Sequence, residues 1–207
     1  YETVVKENIC GPSGKPVRIE MFAHGALCMA ISGKCYLSLH TYGASANRGA
    51  CYQICRRGYE VTDLETGNKL NIDNKYIMSP KDLCTIDFMD RIIESGVKVF
   101  KIEGRARSAE YVKRCASCYR RAAEDECDGT SSRELAASLK EELSEVFNRG
   151  FWDGYYQGAY LGQWSDVYGS QATLKKVYCG KVTNWFDRIG VVEIAVESAP
   201  LHIGDRA

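Results

Sequence analysis

Four cysteines, Cys28, Cys35, Cys51 and Cys55, fall within the stretch from Glu20 to Tyr59 in the spacing C-x6-C-x15-C-x3-C. Thiolates are soft donors that suit iron–sulfur clusters, zinc and copper(I), and four converging thiolates are the ligand set of a cubane cluster or a structural zinc. Zinc-binding chains usually bring their thiolates in tight C-x2–4-C knuckles; the long first and second intervals lack that signature and lean towards iron and sulfur. Two blander readings stand beside the metal. Cysteines are often buried as small hydrophobes, and a disulfide framework would require an oxidising compartment. The sequence offers no export signal, and 207 residues can bury a core without covalent staples, so disulfides come last and a cytoplasmic location is expected.

The cysteine stretch is crowded by Arg48, Arg56 and Arg57, and a second motif by Lys98, Lys101, Arg105 and Arg107. Such local positive potential could attract an anionic ligand or a phosphate backbone, or simply be a solvated face. Net charge adds nothing, because 27 basic residues balance 27 acidic ones. With 45% hydrophobic and 26% charged residues the composition is that of an ordinary globular protein. No apolar run approaches a membrane span. Tyr1 and the terminal His-Ile-Gly-Asp-Arg-Ala both look cut, and the chain reads as an internal piece of a longer protein.

The elements that must position these residues are legible in outline. Residues 1–14 hold a short polar helix and a turn cluster. Val17 to His24 alternates like a strand, delivering Glu20, Phe22 and His24 to the cysteine loop. His24 has the chemistry of a metal ligand, an acid or base, or a satisfied structural histidine. Tyr59 to Leu64 and Lys69 to Ile72 read as a hairpin turned by Gly67 and Asn68. Lys75 onward begins as a strand and turns at Ser79-Pro80, with Pro at the first turn of a following helix. Asp87 to Gly96 is an amphipathic helix with a glycine cap, and Val97 to Glu103 a buried strand; strand, helix and strand predict a parallel βαβ unit.

Gly104 to Ser108 then leads into a helix over 109–125. Glu103, Arg105 and Arg107 at that turn could bind an anion with the help of the helix N-terminus, or form an ion pair bracing the fold. Cys115-Ala-Ser-Cys118 has redox spacing but lies mid-helix and reads as core. A serine-capped helix follows over 134–148. Residues 150–169 are rich in Tyr, Trp and Gly and are expected to pack rather than stack on bases. From Lys175 the alternation is that of a β-meander, turned at Asp187 to Gly190.

The run E-x-F-x-H-G-A-L-C-x-A-x-S-G-x-C-x-x-S, Glu20 to Ser38, resembles the signature of peptidase family U32, the collagenase-like proteases. The resemblance continues through Asn47-Arg-Gly-x-Cys51-x-x-x-Cys55-Arg56, Ser79-x-Lys-Asp-Leu83, Lys101-Ile-Glu-Gly-Arg105 with Tyr111, and Asn148-Arg-Gly-Phe151. It implies an α/β fold: the C-terminal part of a modified TIM-type (β/α) barrel over residues 1–150, an aromatic and Gly-rich linker over 151–174, and the start of a small β-barrel domain over 175–207.

The family includes enzymes that hydroxylate the wobble uridine of tRNA using prephenate, relatives acting on ribosomal RNA, and oxygen-independent ubiquinone hydroxylation proteins. By that resemblance Cys28, Cys35, Cys51 and Cys55 would hold a 4Fe-4S cluster, with zinc as the alternative. His24, Glu103 and Arg105 would be catalytic at the barrel mouth. Lys101 and Arg105, with Arg48, would bind substrate, including the carboxylates of a prephenate-like donor. Expected partners are tRNA or another RNA, and a second copy or a family paralogue in a dimer. Where the family has Arg-Trp after the last cysteine, this chain has Arg56-Arg57. Proteolysis by a triad or an H-E-x-x-H helix has no array to use, since His24, His40 and His202 stand apart in the sequence. A peptidase and a non-catalytic zinc-bridged module remain as alternatives.

Overall fold

The alternation before the cysteine loop produces the strand that the first part of the molecule is built on, β1 (Glu20–Ala26). The computed structural model describes residues 1–28, 30, 35–72, 79–160, 162–167 and 169–205. The chain divides into two compact units, Tyr1–Thr173 and Leu174–Ala207. After a short N-terminal helix, α1 (Glu2–Lys6), β1 enters a four-stranded sheet with β4 (Asp82–Cys84), β5 (Val99–Ile102) and β6 (Phe151–Trp152), in the order β5-β1-β4-β6. The first unit is thus mixed α/β. Among the described residues the sheet is open and no closed barrel forms.

The strand that does precede the helix of the predicted parallel βαβ unit, β4, is not parallel to β5. β1 lies between the two strands concerned, parallel to β5 and antiparallel to β4, with His24 opposite Cys84, so β4 and β5 run in opposite directions. The residues after Pro80 form β4 rather than a helix, because Asp82 bonds to the backbone of Gly150 and its strand pairs with β6. The strand expected from Lys75 to Met78 lies outside the described residues. The helix between β4 and β5 is α3 (Met89–Glu94), closed by Gly96 at a φ of 87°.

Two longer helices cover the sheet. α4 (Ala109–Cys127) buries Tyr111, Cys115, Cys118, Tyr119 and Ala122, a stripe at helical spacing that keeps the mid-helix cysteines in the core. α5 (Arg133–Ser144) adds Leu139 and Leu143, and its first turn is capped by Ser132, whose hydroxyl accepts from the Leu135 amide. Arg114 and Arg121 of α4 pair with Glu142 of α5 across the seam. The aromatic stretch is packed only at its start, with Trp152 buried and Phe151 partly so, while Tyr155, Tyr156 and Tyr160 are exposed. Trp152 donates to the Lys81 carbonyl, Tyr156 to the Phe22 carbonyl, and Phe151 and Trp152 are themselves β6.

A hairpin of β2 (Tyr59–Thr62) and β3 (Lys69–Ile72) follows the cysteines, its turn held by Asp63, which accepts from the amides of Glu65 and Thr66. The second unit is a hairpin of β7 (Gly180–Phe186) and β8 (Val191–Val196), turned where the sequence predicts.

Gly25 is the tightest point of β1. Its φ is 120°, and a Cβ there would sit 2.7 Å from the Glu103 carbonyl oxygen and 3.2 Å from the Tyr111 hydroxyl. Both the backbone conformation and the close approach of β5 demand glycine. Gly25→Ala is expected to destabilise the protein by ~3 kcal/mol, read as a lower urea midpoint at constant slope. An unchanged midpoint would show that β1 and β5 are not packed this closely.

Candidate functional site

The cysteines leave β1 and return through a folded loop. Cys28 follows the strand directly, and the amide of Ala30 donates to its sulfur at 3.4 Å. Cys35 precedes α2 (Leu37–Tyr42), which ends on Gly43 in the left-handed conformation. The buried Ser38 hydroxyl accepts from the Tyr52 amide, and the rings of Tyr42 and Tyr52 lie 5.2 Å apart. These contacts draw the Cys51 to Cys55 segment back against α2. Gln53 sits at a φ of 52°, unusual for a residue with a side chain, and starts the one-turn 3₁₀ helix Ile54–Arg56 that carries Cys55. Arg57 donates to the Tyr42 hydroxyl and Tyr59 to the Ile54 carbonyl. A cleft of about 380 Å³ opens here, lined by Cys51, Tyr52, Gln53, Arg56 and Arg57.

The Cys55 thiol is within electrostatic reach of the other three. Burial pushes the Cys55 thiol up, Arg56 opposes this, and Cys51, Cys28 and Cys35 each push it up further. Among the described residues, no group of three or more His, Cys, Asp or Glu side chains is already gathered as a metal site. Donor type and this reach therefore suit a thiolate-held metal, whose ligand geometry would be completed on binding.

Behind the loop lies a charged cluster. Asp82, 1% exposed, accepts from the Arg149 amide at 3.2 Å, pairs with the Arg149 guanidinium at 3.5 Å and faces that of Arg107 at 3.9 Å. Arg56 joins from the cysteine loop: burial draws its guanidinium down, Cys55 and Asp82 oppose this, and Arg107 adds to it. Burial pushes the Asp82 carboxyl up against the pull of Arg149 and Arg107, and it draws Arg149 down to about 10, which leaves that guanidinium charged at neutral pH. The Arg107 guanidinium stacks 3.9 Å from the Phe147 ring centre. Three of the cluster's buried nitrogens, Arg56 Nε, Arg107 Nη2 and Arg149 Nε, have no hydrogen-bond partner among the described residues.

The sequence profile of peptidase family U32 matches residues 7–165. The chain belongs to peptidase family U32. It is 60% identical, over 99% of its length, to a protein named collagenase in Porphyromonas gingivalis. It is 37% identical, over 64% of its length, to the tRNA hydroxylation protein P1 of Bacillus subtilis. It is also 44% identical, over 49% of its length, to the 23S rRNA 5-hydroxycytidine C2501 synthase of Escherichia coli. The matches cover 50%, 32% and 15% of those relatives, so the chain spans about half the length of the first and less of the others. No solved structure matches the chain.

The remaining site residues of this U32 chain are placed less uniformly. His24 is 1% exposed among the rings of Tyr111, Tyr119 and Phe151. The Tyr119 hydroxyl donates to the Ala23 carbonyl at 2.9 Å and accepts from the Thr85 amide at 2.9 Å, which assigns His24 Nδ1, 3.3 Å away, the remaining donor role. Glu103 accepts the Arg105 amide through its carboxylate, and its own amide donates to the His24 carbonyl. Arg105, Lys101 and Arg48 are exposed. The turn predicted to present Arg105 and Arg107 together parts them at Ala106, whose φ is 57°: Arg105 faces outward while Arg107 is buried against Asp82.

Sequence reasoning did not assign a role to Asp82 or Arg149. Their signal was present in two of the U32 motifs, Ser79-x-Lys-Asp-Leu83 and Asn148-Arg-Gly-Phe151, which the fold brings side by side through β4 and β6.

Burial, and then the charge of Arg107, lower His24 from 6.5 to about 4. The unfolded chain therefore binds a proton that the folded one refuses between those values. The corresponding stability is present above pH 6.5 and is lost as pH falls towards 4, by ~3 kcal/mol. Urea midpoints at pH 7.5 and 4.5 should differ less in His24→Gln than in the natural protein. Equal losses in both would remove His24 as the cause.

Proposed function

We propose that this U32 chain is part of an iron–sulfur-dependent RNA-modifying enzyme that hydroxylates a nucleoside of tRNA or ribosomal RNA. The observation that carries the reading is the folded loop after β1 that carries Cys28, Cys35, Cys51 and Cys55, its return segment held against α2 and, beside it, arginine nitrogens unpaired among the described residues. These four thiols would hold a four-iron, four-sulfur cluster, with the Ala30 amide donating to the first of them. When bound, such a cluster supplies one-electron transfer at a potential set by its charge, burial and hydrogen bonds.

The chain's own residues have distinct tasks in this reading. The cleft lined by Tyr52, Gln53, Arg56 and Arg57 receives an anionic co-substrate of prephenate type beside Cys51. The exposed cations Arg48, Lys101 and Arg105 contact RNA phosphates, which positions the nucleic acid without reading its bases. His24 and Glu103 shape the strand ends beneath the loop, and His24 remains neutral in the working pH range. The sheet would be the C-terminal part of a larger β/α barrel, with the terminal hairpin opening a further β domain. RNA as substrate places the protein in the cytoplasm; no helix of the described residues is long and apolar enough to cross a membrane.

A second reading, hydrolysis of peptide bonds, is favoured by the 60% identity to a protein named collagenase. The arrangement around the histidine argues against it. Cys84, opposite His24 in the sheet, is a thiol whose pKa burial pushes up to about 11, and the shared Tyr119 hydroxyl occupies the imidazole. A cysteine nucleophile needs the reverse, a depressed thiol pKa beside a free base.

Anaerobically purified full-length protein is expected to carry about four iron and four sulfide per chain. RNA from cells lacking it is expected to lose one hydroxylated nucleoside. Stoichiometric zinc without iron, together with collagen cleavage abolished by Cys28→Ala, would favour the peptidase and reject the hydroxylase.

A further inference from the structure

The charged cluster behind the cysteine loop is more than an ion pair needs. Asp82 is the carboxylate paired with both Arg107 and Arg149, and with Arg56 nearby three guanidiniums face this one carboxylate, an excess of two positive charges among the described residues. Burying charge without a counter-ion is costly, and so is leaving a buried N–H donor unpaired. Here the donors without a hydrogen bond among the described residues are Arg56 Nε, Arg107 Nη2 and Arg149 Nε. Phe147 and Tyr111 support the Arg107 guanidinium by stacking but neutralise nothing. The excess faces the cysteine loop, because Arg56 follows Cys55 directly and lines the same cleft as Cys51.

A divalent ion or a cubane core of charge about +2 held by four thiolates has a net charge of about −2, equal and opposite to the excess. We propose that Arg107 and Arg149, paired with Asp82, and Arg56, which follows Cys55 in the loop, are positioning residues that supply the counter-charge of the four-thiolate centre. This rests on the reading that the four cysteines hold a metal.

The four cluster residues come from four places, which explains how the seat is built. Asp82 stands on β4, Arg149 between α5 and β6, Arg107 on the turn after β5, and Arg56 in the cysteine loop itself. Binding of the centre would therefore fasten the loop to the sheet by electrostatics rather than by apolar contact. A merely structural ion-pair cluster makes the opposite prediction: its loss would weaken the metal-free protein and leave the properties of the bound centre alone.

The test uses full-length protein purified without air, in the natural form and as Arg56→Met, Arg56→Lys and Arg149→Met. Two quantities are read, the half-time of metal release to excess chelator and, where iron is bound, the midpoint potential. Removing one of the positive charges is expected to speed release about tenfold and to lower the midpoint, by about 59 mV for each tenfold change in a one-electron couple. Arg56→Lys keeps the charge and should recover most of both effects. Metal-free Arg56→Met should be at least as stable as the natural chain, since it sheds an unmatched buried charge.

Unchanged release and midpoint in folded Arg56→Met and Arg149→Met would overturn the proposal. So would Arg56→Lys behaving like Arg56→Met, because charge would then not be the cause. If zinc is bound, release alone decides. Natural protein that binds no metal at all rejects the metal reading, and this inference with it.

Discussion

Asp82 is the constraint on which the first unit turns. A carboxylate that is almost fully buried must be paired, and this one is met from both sides by Arg149 and Arg107 while its own strand is fixed by β1 and β6. It thereby registers the short strands β4 and β6, the turn before α4 and the base of the cysteine loop against one another. β4 and β6 are three and two residues long, too short to hold a register by ladder hydrogen bonds alone. The ion cluster and the Trp152 and Tyr156 bonds to backbone carbonyls supply what the ladder cannot.

A second polar node lies in the core between α4 and the strands β1 and β4. Tyr119, from the middle of α4, reaches Ala23, His24 and Thr85 with a single hydroxyl, and so ties the helix to the two strands it covers. This is why a histidine in the family signature is silent as an acid or base here. Its surroundings are aromatic rings and backbone, and burial holds it neutral.

Much of this was readable from the chain. The strand before the cysteines, the hairpin after them, the two long helices with their buried stripe and the terminal hairpin all follow from periodicity and turn residues, because each is specified locally. The direction of β4 relative to β5 was not, since the insertion of β1 between them depends on pairings across some 80 residues. The same holds for the charges. Local sequence groups Arg105 with Arg107, yet one positive φ at Ala106 sends them to different environments. It gives no hint that Asp82 and Arg149, 67 residues apart, share a bond.

The proposed centre is a single inorganic group held by four sulfurs from one loop, its negative charge offset by the neighbouring arginines. X-ray absorption at the metal edge of anaerobically purified full-length protein reads the first coordination shell directly. The account predicts a shell of sulfur at about 2.3 Å, with Cys28, Cys35, Cys51 and Cys55 supplying the thiolates. A first shell of nitrogen and oxygen, or a sulfur shell unaltered when Cys51 and Cys55 are replaced by serine, would contradict it.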